Sequence, residues 1–186
     1  MLNQLDYANK YLTLLKNVID KVDINDLAEV IVALEIALKE RRQVFIAGNG
    51  GSAATAGHMA NDLMIGVAKK QRYGFRAIAL ADHIAPITAL ANDVSYADIF
   101  SGQIKQLADP GDLLVVISAS GNSPNIIHAL EEAAKIGMYT IAFLGMDGGK
   151  AAAMADKSVI VVSNDYGPIE DLHMIFDHLI TGYFQQ

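Results

Sequence analysis

The chain has 186 residues, 52% of them hydrophobic and 19% charged, the balance of a globular domain and not of a disordered segment. A net charge of −7 argues against a nucleic-acid surface as its main business, although a small anionic ligand answers to local groups and is not excluded. There are no cysteines, so disulfides and thiol chemistry are out, and no run approaches the roughly 18 apolar residues of a membrane span. "MLNQLDYANK" reads as no signal peptide, and the expectation is a cytoplasmic protein, one domain over 1–186, without membrane or direct nucleic-acid partners.

Leu5, Ala8, Leu12, Leu15 and Ile19 are spaced for a helix over 3–21. A second helical pattern runs from Ile24 to about Arg41, with Asp23 or Asn25 as cap. "QVFIAG" (43–48) is a short apolar strand that ends in glycine, and the small and apolar residues from Ser52 to Val67 form the next helix. "RAIAL" (76–80), "DLLVVIS" (112–118), "YTIAFLG" (139–145) and "KSVIVVS" (157–163) are further strands. Helical stretches separate most of them, notably 123–136, and 168–185 closes the chain. Continuous apolar strands alternating with helices imply a parallel sheet buried on both faces. The expected fold is an α/β three-layer sandwich: a five-stranded parallel sheet flanked by helices, with two helices added at the N-terminus.

In such a sheet ligands sit beyond the carboxyl ends of the strands. "GNGGS" (48–52) lies at one such end and opens a helix, where unpaired N–H groups and a partial positive charge suit an anion. Gly48, Gly50 and Ala53 also satisfy the dinucleotide pattern G-x-G-x-x-A. That pattern wants an acidic residue about 20 positions on, at the end of the second strand. Asp82 lies well beyond that spacing, and two helices precede the first strand. "ISASGNSPN" (117–125) repeats the arrangement: a strand ends in Ser118, Ser120, Gly121, Asn122 and Ser123, and Pro124 begins a helix. Hydroxyls and N–H groups converging at helix starts can hold a phosphate without a cation.

His58 and Asp62 are four apart on the helix after the glycine turn, so they share one face, as zinc ligands or as an ordinary surface pair. The last helix carries "GPIEDLHMIFDHLI" (167–180), with Glu170, His173 and His178. Glu170 and His173 are three apart and suit one ion by spacing; Glu170 and His178, eight apart, are separated by about 12 Å of helix rise and could reach one ion only with extended side chains or from different subunits.

"GNGGSAATAGH" (48–58), "SASGNSPN" (118–125) and "GMDGGK" (145–150) together resemble the sugar isomerase (SIS) domain family, and within it the phosphoheptose isomerase type, which converts sedoheptulose 7-phosphate to a heptose 7-phosphate. The resemblance covers essentially the whole chain. It implies an aldose–ketose isomerase and a homotetramer with sites between subunits, the N-terminal helices 1–41 packing the oligomer. It implies a zinc ion held by His58, Asp62, Glu170 and His178, with His173 in support, Asp62 as base and His178 as acid or proton shuttle. A phosphosugar would meet Asn49, Gly50, Gly51 and Ser52, then Asn92 and Asp93, then Ser118, Ala119, Ser120 and Ser123, and Glu170. Three positions depart from the family's pattern: Asp62 stands for its glutamate, Glu170 for its glutamine, and Ala119 for the threonine of Ser-Thr-Ser. An aspartate is one methylene shorter than a glutamate, and about 1 Å of misplacement can cost around a hundredfold in rate.

Overall fold

The computed structural model describes residues 3–186; Met1 and Leu2 of the expected domain and N-terminal helices lie outside the described residues. Helices α1 (Gln4–Ile19) and α2 (Ile24–Glu40) come first. Asp23, not Asn25, caps α2: its carboxylate accepts from the Asn25 N–H at 2.9 Å. Strand β1 (Gln43–Gly48) leads into α3 (Gly51–Asn61), and β2 (Arg76–Ala79) into α4 (Ile84–Asp93) and α5 (Ser101–Leu107). Then follow β3 (Leu113–Ser118), α6 (Pro124–Ile136), β4 (Tyr139–Gly145), the short α7 (Ala151–Met154), β5 (Lys157–Val161) and α8 (Tyr166–Phe184).

All pairings are parallel, in the order β2-β1-β3-β4-β5. Alternate strand residues feed two cores. Val44, Ile46, Val115, Ile117, Phe143 and Val161 pack against α2, α3 and α8, whereas Phe45, Ala47, Leu114, Val116 and Leu144 pack against α5 and α6. From β1 the chain builds outward to β2, then returns to the other side of β1 to lay down β3. The carboxyl ends of β1 and β3 therefore flank the switch point where open α/β sheets bind ligands. Register sets Gly48 beside Ile117, so the glycine turn and the serine turn leave the sheet side by side.

The helix expected over 52–67 is not uniform. After Asn61 it widens into a π-helical turn over Asp62–Gly66. The Leu63 carbonyl accepts a hydrogen bond from the Phe75 N–H at 3.0 Å, a bond outside the helical ladder that docks the 70–75 loop. The wider turn begins at Asp62. π-turns of this kind occur mostly at functional sites.

Helices α1 and α2 are tied to the body by polar contacts at their surfaces. Tyr11 donates to Asp171 at 2.6 Å, and Lys157 meets Asp26 and Glu29 at 2.6 and 2.8 Å.

Candidate active site

Three helices begin around one cavity of about 160 Å³. Asn49 and Ser52 come from the start of α3, Ser118, Ala119, Ser120 and Ser123 from the turn before α6, and Tyr166 and Glu170 from the first turn of α8. None of the three helices is capped by a side chain, so N–H groups of their first turns have no side-chain partner, although Pro124, first in α6, has none to offer. Three helix N-termini facing one small cavity favour an anion, against which the Glu170 carboxylate in the lining works. Gly50 and Gly51 sit at the mouth of α3, as N-cap and first residue.

The two turns are locked to each other. Asn49 and Asn125 exchange amide hydrogen bonds of 2.8 and 2.9 Å, and Asn125 is buried. The serine turn is rigid in its own right: the Ser118 hydroxyl accepts from the Gly121 N–H at 3.1 Å. Gly121 has φ +60°, and a Cβ there would come within 2.0 Å of the Gly148 carbonyl, so only glycine fits. The third glycine-rich turn, 145–150, thus buttresses the serine turn from behind, with the Lys150 N–H donating to Asn122 at 3.1 Å. Neither Asn125 nor Tyr166 was among the residues expected from sequence. For Asn125 the signal was present, an amide in each turn at the mouth of the same sheet.

Glu170 lies over the first turn of α3. A Cβ on Gly51 would meet both of its carboxylate oxygens at 2.8 Å, so glycine at 51 makes the room in which the carboxylate rests. Helices α3 and α8 run side by side in the same direction from there. Seven residues along α3, about 10 Å of helix rise, the same seam carries a second polar group. His58, Asp62, Asp177 and His178 each offer one atom, all within 4.8 Å of one another. His58 Nε2 is 3.3 Å from His178 Nε2, 3.4 Å from Asp62 Oδ2 and 3.9 Å from Asp177 Oδ2.

Of the expected metal ligands, His58, Asp62 and His178 come together here; Glu170 stands outside the group, in the cavity, and Asp177 is the fourth member. Asp177 had no part in the sequence expectation. Its signal was its place in the stripe Ile169, Leu172, Phe176, Ile180 and Phe184, the buried face of α8, where a carboxylate is out of keeping. Burial pushes the Asp177 carboxyl up to about 6; the Asp62 charge adds to this, and His58, His178 and the Thr181 hydroxyl oppose it.

The remaining expectations fall elsewhere. His173 turns away from the seam into the core, packed near Phe143 and Phe176, with Nε2 3.2 Å from the Leu144 carbonyl. It does not support the metal group; burial holds its pKa down at about 4, only partly offset by that hydrogen bond. Asn92 and Asp93 are the exposed last residues of α4, bonded to each other and apart from the residues that line the cavity.

The four-residue group fits a metal. In a tetrahedron with bonds of about 2.0–2.1 Å, neighbouring donor atoms lie about 3.3 Å apart, close to the shorter separations here. The Oδ2 of Asp177, fully buried, has no hydrogen-bond partner. A buried carboxylate oxygen without a partner is costly, and a cation between it and two imidazoles would remove the cost.

Residues 6–145 match the SIS domain family. A phosphoheptose isomerase of Aliarcobacter butzleri is 43% identical over 149 residues, 80% of this chain and 78% of the relative. One from Aquifex aeolicus is 41% identical over 160 residues, 86% of this chain and 83% of the relative. Solved phosphoheptose isomerases from Neisseria gonorrhoeae and Francisella tularensis both superpose with TM-score 0.89, at 28% and 29% identity; the first match covers 98% of both chains and the second 100%. With the strand order, the paired turns and the family match in agreement, this chain belongs to the SIS domain family.

Proposed function

We propose that the protein is a phosphosugar aldose–ketose isomerase acting on sedoheptulose 7-phosphate to give D-glycero-D-manno-heptose 7-phosphate. The observation that carries this reading is the layout of the α3–α8 seam. An anion cavity lies at one end and a histidine–carboxylate group about two helical turns, roughly 10 Å, further on. An extended sugar phosphate can seat its phosphate in the first and present its carbonyl end to the second. The identity to phosphoheptose isomerases supports the choice of heptose.

Isomerisation moves a proton between C1 and C2 and places negative charge on the oxygens between them. Asp62 takes the proton from one carbon and returns it to the other, and His178 gives a proton to the carbonyl oxygen and takes one from the neighbouring hydroxyl. The hydroxyls of Ser118, Ser120 and Ser123, with the N–H groups of 49–52, hold the phosphate, while Ala119 and Glu170 complete the sugar site. The bound metal, which we take to be zinc held by His58, Asp62 and His178 with one further carboxylate, supplies polarisation of the oxygens at the reacting carbons. We further propose a cytoplasmic homotetramer of single-domain chains, residues 1–186, with sites between subunits. Leu5, Leu12, Val32 and Ile36 are each more than half exposed on α1 and α2, an apolar surface that oligomer packing would cover. Among the described residues no helix is long and apolar enough to cross a membrane.

The test is incubation of zinc-supplied protein with ketose phosphates of five, six and seven carbons in deuterated water, followed by NMR. Aldose formation fastest on the seven-carbon substrate, with deuterium entering at the carbon that gains the proton, is expected. No aldose from any of them, or a preference for a shorter chain, sinks the assignment.

A further inference from the structure

We propose that Asp177 is itself a metal ligand, closing a two-histidine, two-aspartate set with His58, Asp62 and His178, and that Glu170 stays with the sugar. The inference rests on the metal reading above and deepens it.

The covalent spacing of α8 separates the two carboxylates. Glu170 lies nearly two turns before Asp177, seven residues or about 10 Å of rise. Its carboxylate reaches the first turn of α3, at Gly51, while Asp177 reaches the level of His58. Within one chain, a single ion cannot lie within ligand distance of His58 and of a carboxylate resting over Gly51. Asp62 is short, so the ion must sit close to the α3 backbone, and Asp177 approaches from the buried side of the group, where no exposed side chain could.

The state of Asp177 supports this. Its Oδ1 accepts from the Thr181 hydroxyl at 3.3 Å, which orients the carboxylate, and Oδ2 then faces His58 Nε2 with no hydrogen-bond partner. A purely structural aspartate on a buried helix face would have both oxygens satisfied. The residue instead resembles a ligand already held by an outer hydrogen bond, as metal-bound carboxylates are. Two aspartates and two neutral imidazoles would balance a divalent cation; a further carboxylate from Glu170 would leave the site negative.

The experiment titrates metal-free protein with zinc alone, by calorimetry and by competition with a chromophoric chelator. Wild type should bind one equivalent per chain. Asp177→Asn should weaken zinc binding by at least about 10- to 100-fold, the range found when even an outer partner of a ligand is lost. Glu170→Ala, which leaves no ligand atom at that position, should bind as wild type does. The metal-free Asp177→Asn protein should melt at or above the wild-type temperature, since a buried charge is gone, yet lose the rise in melting temperature that zinc confers on wild type. An Asp177→Asn protein that binds zinc normally, or a Glu170→Ala protein that does not, overturns the proposal. A zinc-soaked crystal of the wild-type protein decides it without any variant. Asp177 within about 2.2 Å of the ion supports it, and Glu170 in that place overturns it. Zinc on Asp177 in a protein with no isomerase activity would uphold this inference while sinking the reaction proposed above.

Discussion

At one end of the α3–α8 seam, hydroxyls, amides and three open helix N-termini surround a cavity; at the other, two carboxylates and two imidazoles crowd within 4.8 Å. The first end offers donors and asks for an anion. The second offers lone pairs and asks for a cation. Both are built from the same pair of helices, and their polarity follows from position along them. Helix starts expose N–H groups, whereas two turns later the backbone is satisfied internally and only side chains can make chemistry. On the proposed function, the two ends divide binding from reaction, and substitutions should divide accordingly.

The largest effect is expected at the cationic end. His178→Ala should lower kcat by about 10²- to 10⁴-fold, the usual range for losing an acid–base group. Calorimetric affinity for the sugar phosphate should barely change, because the phosphate rests on the other end. Loss of substrate binding in step with turnover would show that the two ends are one site.

Ser118→Ala tests the anionic end. A hydrogen bond to a charged group is worth about 1.5–3 kcal/mol, so KM should rise about 10- to 100-fold with kcat little altered. A fall in kcat at unchanged KM would assign the serine turn to the reaction and not to holding the phosphate.

The smallest effect separates the wet face of α8 from its dry one. His173 is kept neutral by burial down to about pH 4, while in the unfolded chain it takes up a proton near pH 6.5. A group with a lowered folded pKa contributes stability above its unfolded value and loses it as the pH falls towards the folded one. Between pH 7 and 5.5 the wild type should therefore lose about 1 kcal/mol relative to His173→Phe in urea unfolding. Asp177, raised to about 6, acts in the opposite sense in metal-free protein, and taking the difference between two proteins that share it removes its part. Equal pH dependence of the two proteins would mean that His173 reaches solvent.

Much of the fold was legible because its signals are local. The three central strands β1, β3 and β4 read as apolar runs that end in glycine or serine, and the helices between carry their own periodicity, caps and breakers. Pro124 opens α6 and Gly137, at φ +85°, closes it. The π-turn over 62–66 was not legible, since it is linked to Phe75 across a loop and no propensity encodes that bond. At the site, the serine turn and the His58–Asp62 pair could be read because their members lie within one turn or one helix face. Asp177 was legible in principle, as a charge on an apolar stripe, but its meaning depends on what faces it.

The sequence alone determined the kind of chemistry available. It holds two strand-end turns of donors, a histidine and a carboxylate four apart, and a terminal helix with further ligands, because backbone geometry converts those spacings directly into shared faces. Only the tertiary structure decided which carboxylate of α8 stands beside His58. Helix spacing places Glu170 and Asp177 about 10 Å apart, yet the level at which α8 packs against α3 is set by side-chain packing along the whole seam, a sum of many weak contacts that no local pattern records. That packing sends Glu170 to the helix start over Gly51 and brings Asp177, buried and lacking a partner for one oxygen, to the histidines.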